Sequence, residues 1–270
     1  MNELYEKYIK TEALPTLFCP GCGNGIVQRA AIDAFEALGC KENTACVSGI
    51  GCSSWIPCYF KMDVIHSMHG RAIPFATGLK LARPDKNIVV FTGDGDGLAI
   101  GGNHLLHGAA RNIDLTVILV NNYIYGMTGG QKSPTTPKGA VTKTSPLGAM
   151  DEPIQGCDLA MAMGATYVAR WTTAHPVQLA KAIADGIIHK GFSFIEVLAQ
   201  CPVQAGKAVY GQKDAAKIME GYKAGTYISK EGDEPIPGKI PLGLLKQEED
   251  VDEYVTKVLG KQSGTGKEKK

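Results

Sequence analysis

Apolar positions along this chain gather into short continuous runs separated by amphipathic stretches, and the two kinds of segment alternate. The runs Val89-Val90-Phe91-Thr92 and Leu115-Thr116-Val117-Ile118-Leu119-Val120 are rich in β-branched and aromatic residues and short enough for strands buried on both faces. Between them, 102–111 reads as a helix, so the unit is strand–helix–strand with two parallel strands. The same reading gives helices over 25–38, 72–82, 157–163 and 177–189, and strands over 44–47, 166–169 and 192–198. That alternation predicts an α/β fold, a parallel sheet with helices on both faces. After Cys201 the composition turns to lysine, glycine and proline, with short helical stretches over 215–222 and 250–259. The expected organisation is a domain over 1–202, an extension over 203–261 that packs on a partner subunit or lies as a surface appendage, and a disordered tail over 262–270.

Composition narrows the class. A hydrophobic content of 44% with 20% charged residues allows a well-buried core in 270 residues. A net charge of +1 gives no electrostatic reason to expect nucleic acid or a membrane surface as partner. The amino terminus carries no apolar signal-peptide core, and no apolar run is long enough to span a bilayer, so a cytoplasmic location is expected. There the eight cysteines are expected to bind metal or do redox chemistry rather than form disulfides.

Candidate chemistry sits where the two central strands end. The first runs into Gly93-Asp94-Gly95-Asp96-Gly97 and the second into Asn121-Asn122. Parallel strands deliver both ends to the carboxyl edge of the sheet, where such folds bind ligands. One carboxylate, one amide oxygen and nearby carbonyls make a hard oxygen site suited to Mg²⁺ bridging phosphates. The plain alternative is an acidic turn; a calcium-binding EF-hand loop is excluded, because its glycine and terminal glutamate positions are not matched after Asp94. The pair resembles the thiamine-diphosphate motif. That resemblance implies Asp94 and Asn122 as side-chain Mg²⁺ ligands and Ile124 as a carbonyl ligand.

Cys19-Pro20-Gly21-Cys22 places two thiols in one tight turn, and Cys52 and Cys201 each have glycine or proline close by. Cys40, Cys46 and Cys157 lie in helix-end or apolar contexts and read as small buried residues, and Cys58 is ambiguous. On spacing alone, four thiolates suit zinc or a [4Fe–4S] cluster. Phe18-Cys19-Pro20-Gly21-Cys22-Gly23, Gly49-Ile50-Gly51-Cys52-Ser53, His69-Gly70-Arg71-Ala72, the glycine–aspartate segment and Gln200-Cys201-Pro202 occur here in order. Across about residues 14–212 they resemble the β subunits of 2-oxoacid:ferredoxin oxidoreductases. The resemblance implies a thiamine-diphosphate-binding fold and one [4Fe–4S] cluster on Cys19, Cys22, Cys52 and Cys201. It also implies an α subunit supplying the pyrimidine-binding domain and activating glutamate, γ and ferredoxin-like δ subunits, ferredoxin as acceptor and coenzyme A as co-substrate. Among substrates, 2-oxoglutarate comes first, branched-chain 2-oxoacids second and pyruvate third. Where many members of that family have histidine after the CPGCG segment, this chain has Asn24.

With the resemblance in hand, the cofactor-binding set is Gly51, Cys52, His69, Gly70, Gly93, Asp94, Gly95, Asp96, Asn122, Ile124, Gly126 and Met127. His69 is assigned to the thiamine pocket, although an isolated histidine more often serves structure. Met127 is placed near the thiazolium ring, with core filling as the alternative. The tract 132–138 reads as an extended, solvated loop. Two rival functions stand beside this one. A non-redox thiamine decarboxylase or carboligase subunit has no need of the four cysteines, and an iron–sulfur or zinc module has no need of the aspartate–asparagine pair.

Overall fold

The computed structural model describes residues 3–230, 232–249 and 251–264. A short helix α1 (Glu3–Tyr8) is followed by α2 (Asn24–Leu38) and strand β1 (Thr44–Ser48). The single-turn α3 (Trp55–Cys58) leads to β2 (Asp63–His66), and α4 (Ala72–Ala82) returns the chain to β3 (Asn87–Gly93). A wide π-type turn over Gly95–Ile100 feeds α5 (Gly102–Ala110) and β4 (Leu115–Asn121). A small hairpin of β5 (Ile124–Tyr125) and β6 (Gln131–Lys132) follows, then a long loop, α6 (Gly156–Ala162), β7 (Tyr167–Thr172), α7 (Pro176–Ile188) and β8 (Phe192–Leu198). The rest comprises α8 (Gly206–Tyr210), α9 (Ala215–Gly225), β9 (Thr226–Ile228), β10 (Ile240–Gln247) and α10 (Tyr254–Gly264).

The main sheet runs β2-β1-β3-β4-β8-β7-β10-β9, and its first six strands are mutually parallel. Alternate residues of one strand serve opposite faces. Cys46, Val89, Phe91, Ile118, Val120, Ile195 and Val197 pack with Val27, Phe35, Leu179 and Ile183 of α2 and α7. Their neighbours Val47, Val90, Val117, Leu119, Phe192 and Phe194 pack on the other face with Ile73, Leu105, Ala109 and Ala160 of α4, α5 and α6. Both faces are covered, which is why these strands read as unbroken apolar runs. This is the expected parallel α/β sheet with helices on both faces.

The differences lie at the edges. The β2 strand is half-exposed and has no apolar run to announce it; it pairs with β1 through Ala45–Asp63 to Ser48–His66. The extension after 203 joins the chain's own sheet: β10 pairs antiparallel with β7, and β9 pairs with β10. Helix α10 starts four residues later than expected because the Glu253 carboxylate accepts from the amides of Val255 and Thr256 and from Asp114 N. It drops Val255 into the α4/α5/α6-side core. Its backbone runs to Gly264, into the stretch expected as a tail; the remainder of that stretch lies outside the described residues. No helix among the described residues is long and apolar enough to cross a membrane.

Strand order reverses between β1 and β3. From β1 the chain turns outward to β2, and from β3 it turns the other way to β4. The carboxyl ends of β1 and β3 therefore flank a crevice, the place where open α/β sheets bind ligands.

Candidate functional site

Three loops meet in that crevice: 49–54 after β1, the π-type turn after β3, and 122–128 after β4. A cleft between them is lined by Gly51, Cys52, His69, Gly93, Asp94, Gly95, Asp96, Asn122, Ile124, Gly126 and Met127, together with Ile50, Ser53, Tyr125 and Thr128. Of the cofactor-binding residues expected from the sequence, only Gly70 is outside this lining. Its amide instead donates to Asp96 Oδ1 at 2.6 Å.

Asp94 and Asp96 are both buried, but their carboxylates are held differently. Asp94 Oδ2 accepts from Ser133 Oγ at 2.6 Å and Thr135 Oγ1 at 2.7 Å. Burial pushes its pKa up to about 6 against the pull of those hydroxyls and of backbone amides. Asp96 Oδ1 takes His69 Nδ1 and the Gly70 amide, each at 2.6 Å, and the Ile50 amide at 3.2 Å, while Oδ2 takes Thr92 Oγ1 at 2.6 Å. Asp96 thus clips the loop after β1 to the turn after β3 and to the start of α4, and both its oxygens are engaged by protein. His69 is fixed through Nδ1, which leaves Nε2 for the cleft that it lines. Tyr125 closes the floor: its hydroxyl donates to Gly95 O at 3.1 Å, and a Cβ on Gly95 would stand 2.3 Å from its ring.

Asn122 Oδ1 accepts from the Ile124 amide at 3.2 Å, so the turn that carries the side chain also presents the Ile124 backbone. Beneath it runs a buried polar chain that the sequence reading misses. Thr135 Oγ1 lies 2.8 Å from Asn121 Oδ1, Asn121 Nδ2 donates to Glu196 Oε1 at 2.8 Å, and Arg170 Nε donates to Glu196 Oε2 at 2.7 Å. Ser133, Thr135 and Thr136 are each at most 2% exposed, which corrects the expectation of a solvated loop over 132–138. The buried Asp94 carboxylate draws the hydroxyls inward, while Lys132 and Lys138 pair outside with Asp151 and Glu152. A serine–threonine tract after the hairpin is the signal available in the sequence.

A second cavity, about 330 Å³, adjoins the cleft and is lined by Cys19, Cys22, Cys52 and Cys201, with Phe18, Asn24 and Trp55 among its other walls. Cys52, Asn122, Gly126 and Met127 line both spaces. Gly21, at φ +74°, turns the chain so that the Cys22 amide reaches Cys19 O at 3.0 Å. Burial, with the neighbouring thiols adding to it, pushes Cys22 up to about 12 and Cys52 up to about 11. All eight cysteines are free. Cys46 and Cys157 are fully buried in the two cores, and Cys58 Sγ lies 3.5 Å from His66 Nδ1. Among the described residues, no three His, Cys, Asp or Glu side chains are grouped so as to hold a single metal ion.

The family described as "Thiamine pyrophosphate enzyme, C-terminal TPP binding domain" matches residues 49–197, which hold the cleft's strand ends. The chain is 54% identical over 241 residues to the 2-oxoglutarate synthase subunit KorB of Methanocaldococcus jannaschii, covering 88% of this chain and 89% of that one. It is 43% identical over 188 residues to a 2-oxoacid:ferredoxin oxidoreductase subunit beta from Sulfolobus, covering 68% of this chain and 62% of that one. In structure it is similar to the 2-oxoglutarate:ferredoxin oxidoreductase of Magnetococcus marinus, solved with 2-oxoglutarate, coenzyme A and succinyl-CoA bound. The TM-score is 0.88 at 31% identity, over 97% of this chain and 91% of that one. The chain belongs to the thiamine-pyrophosphate-binding β subunits of the 2-oxoacid:ferredoxin oxidoreductases.

Proposed function

We propose that this chain is the thiamine- and cluster-bearing half of an enzyme that oxidatively decarboxylates 2-oxoglutarate to an acyl-CoA and passes the electrons to ferredoxin, or runs the reverse carboxylation. The observation that carries the reading is the shared wall: a hard oxygen cleft and a four-cysteine cavity have Cys52, Asn122, Gly126 and Met127 in common. A non-redox thiamine subunit has no use for the second space, and an electron-transfer module has none for the first.

The residues fit the groups that this reaction needs. Asp94 is buried and held by hydroxyls and amides rather than by a cation, so a divalent ion would stabilise its charged form. Asp94, Asn122 and the Ile124 carbonyl would hold Mg²⁺ on a diphosphate, and the Gly93, Gly95 and Gly126 backbones would let that diphosphate approach. Asp96 keeps the two loops in register and orients His69, whose Nε2 can hold or pass a proton at the cleft wall. Cys19, Cys22, Cys52 and Cys201 surround a space rather than converge on a point, which suits a [4Fe–4S] cluster better than zinc. When bound, thiamine diphosphate supplies an electron sink for the carbanion left by CO₂ loss, and the cluster supplies a one-electron acceptor beside it. Met127, 47% exposed, together with Leu17 and Val203 at the cavity rim, forms apolar surface for the α subunit expected to bring the pyrimidine-binding domain. Partner γ and ferredoxin-like δ subunits and a cytoplasmic setting complete the reading.

The 2-oxoglutarate assignment rests on the names of the Methanocaldococcus and Magnetococcus proteins; the Sulfolobus relative, named for 2-oxoacids in general, keeps branched-chain 2-oxoacids and pyruvate as the second reading. The test is ferredoxin reduction by the complex of this chain with its α partner, supplied with coenzyme A and each acid in turn. Highest kcat/KM with 2-oxoglutarate is expected. A preference for another 2-oxoacid overturns the substrate, and no reduction with any overturns the reaction.

A further inference from the structure

Asn24 opens helix α2 and is 2% exposed, yet its Nδ2 has no hydrogen-bond partner. A buried amide donor left unpaired is uncommon and calls for an acceptor that completes it. Asn24 is also one of the residues lining the four-cysteine cavity. Its backbone is pinned there: the Gly23 amide donates to Gln200 O at 3.0 Å, and a Cβ on Gly23 would stand 2.9 Å from the Ala199 side chain. Of the other polar groups in the lining, Asn122 Oδ1 already accepts from Ile124 N. Gln204 Oε1 lies toward Gly130, 3.1 Å from where a Cβ there would stand, and the other side-chain acceptors of the lining are the sulfurs of the four cysteines and of Met127.

On the reading that Cys19, Cys22, Cys52 and Cys201 hold a [4Fe–4S] cluster, we infer that the Asn24 side-chain amide donates a hydrogen bond to a cluster sulfur, sulfide or thiolate, and so raises the cluster's reduction potential. The physical reason is charge. The reduced cluster carries one more electron than the oxidised one, so an N–H donor stabilises it more and shifts the couple toward reduction. Asn24 is therefore a positioning and tuning residue for electron acceptance, one that touches the acceptor and not the substrate.

The test is an anaerobic redox titration of the native complex followed by electron paramagnetic resonance, with iron and sulfide analysed on the same sample. Asn24→Leu keeps the side chain's size and removes its donor. At the wild-type midpoint, its ratio of reduced to oxidised cluster is expected to fall about threefold to tenfold, tenfold being about 59 mV for one electron. Asn24→His, which restores an N–H, should recover most of that loss. An unchanged midpoint in Asn24→Leu with iron and sulfide intact overturns the inference. If Asn24→Leu loses iron, Asn24→His decides: retention of the cluster supports a required donor, and loss in both overturns it. Absence of iron and sulfide from the wild-type complex is a separate result, which overturns the cluster reading on which this inference rests.

Discussion

The oxygen cleft and the cysteine cavity share a wall but are built in opposite ways. The cleft stands on adjacent ends of parallel strands, and its donors are locked from below by the run Asp94–Thr135–Asn121–Glu196–Arg170. The cavity is assembled from loops far apart in the chain, at Cys19 and Cys22, at Cys52 and at Cys201, with no comparable polar lattice joining the sulfurs among the described residues. The first is a preorganised socket whose charge is set by burial. On the proposed reading, the second would depend on its guest to draw four thiols together and to stabilise the thiolate forms that burial disfavours. Damage to one should therefore leave the other largely intact.

The largest expected effect is at Asp94. Asp94→Ala should reduce bound thiamine in the purified complex to background while visible cluster absorbance persists; full thiamine content would remove Asp94 from the metal site. Cys52→Ala should do the reverse, losing iron and visible colour while thiamine is retained. Loss of both cofactors in either variant would mean that the two spaces fold as one unit. Glu196→Ala leaves Arg170 buried without its partner and Asn121 Nδ2 without an acceptor, a loss of about 3–5 kcal/mol in urea unfolding. A loss below about 1 kcal/mol would show that the chain beneath the cleft does not hold it.

The smallest effect is in pH. Burial raises Asp94 to about 6, so the group disfavours the folded, metal-free chain above that pH, and this is relieved as pH falls through it. Cofactor binding is expected to have the opposite sign, because the proposed Mg²⁺ site needs the carboxylate. Affinity for Mg²⁺ and thiamine diphosphate should fall about tenfold per pH unit below about 6, and Asp94→Asn should abolish this slope. Flat affinity from about pH 5 to 7 would contradict the role given to that burial.

Legibility in the sequence divides along the same line. The strands under the cleft are buried on both faces, so their apolar runs and the motifs at their ends are plain; glycine or proline also precedes Cys40, Cys58 and Cys157, so the family resemblance rather than local composition picks out the four cysteines. Function within the glycine–aspartate segment is harder to read. Asp94 and Asp96 look alike in sequence, and only the donors brought from 50, 69, 70 and 92 turn Asp96 into a clip. Ser133 and Thr135 sit between lysines and prolines, a composition that suggests solvent, and they are inside because a buried carboxylate needs them. Strands β2 and β9 are short and partly exposed at the sheet edges, and the apolar run of β10 is broken by Pro241 and Gly243, so none of the three reads plainly as a strand.

Whether cleft and cavity are two halves of one redox site can be read from the visible spectrum of the anaerobically purified complex. We expect a cluster band that bleaches when 2-oxoglutarate and coenzyme A are both present. A colourless, zinc-containing sample, or a cluster band that no 2-oxoacid bleaches, would contradict the pairing of the two sites.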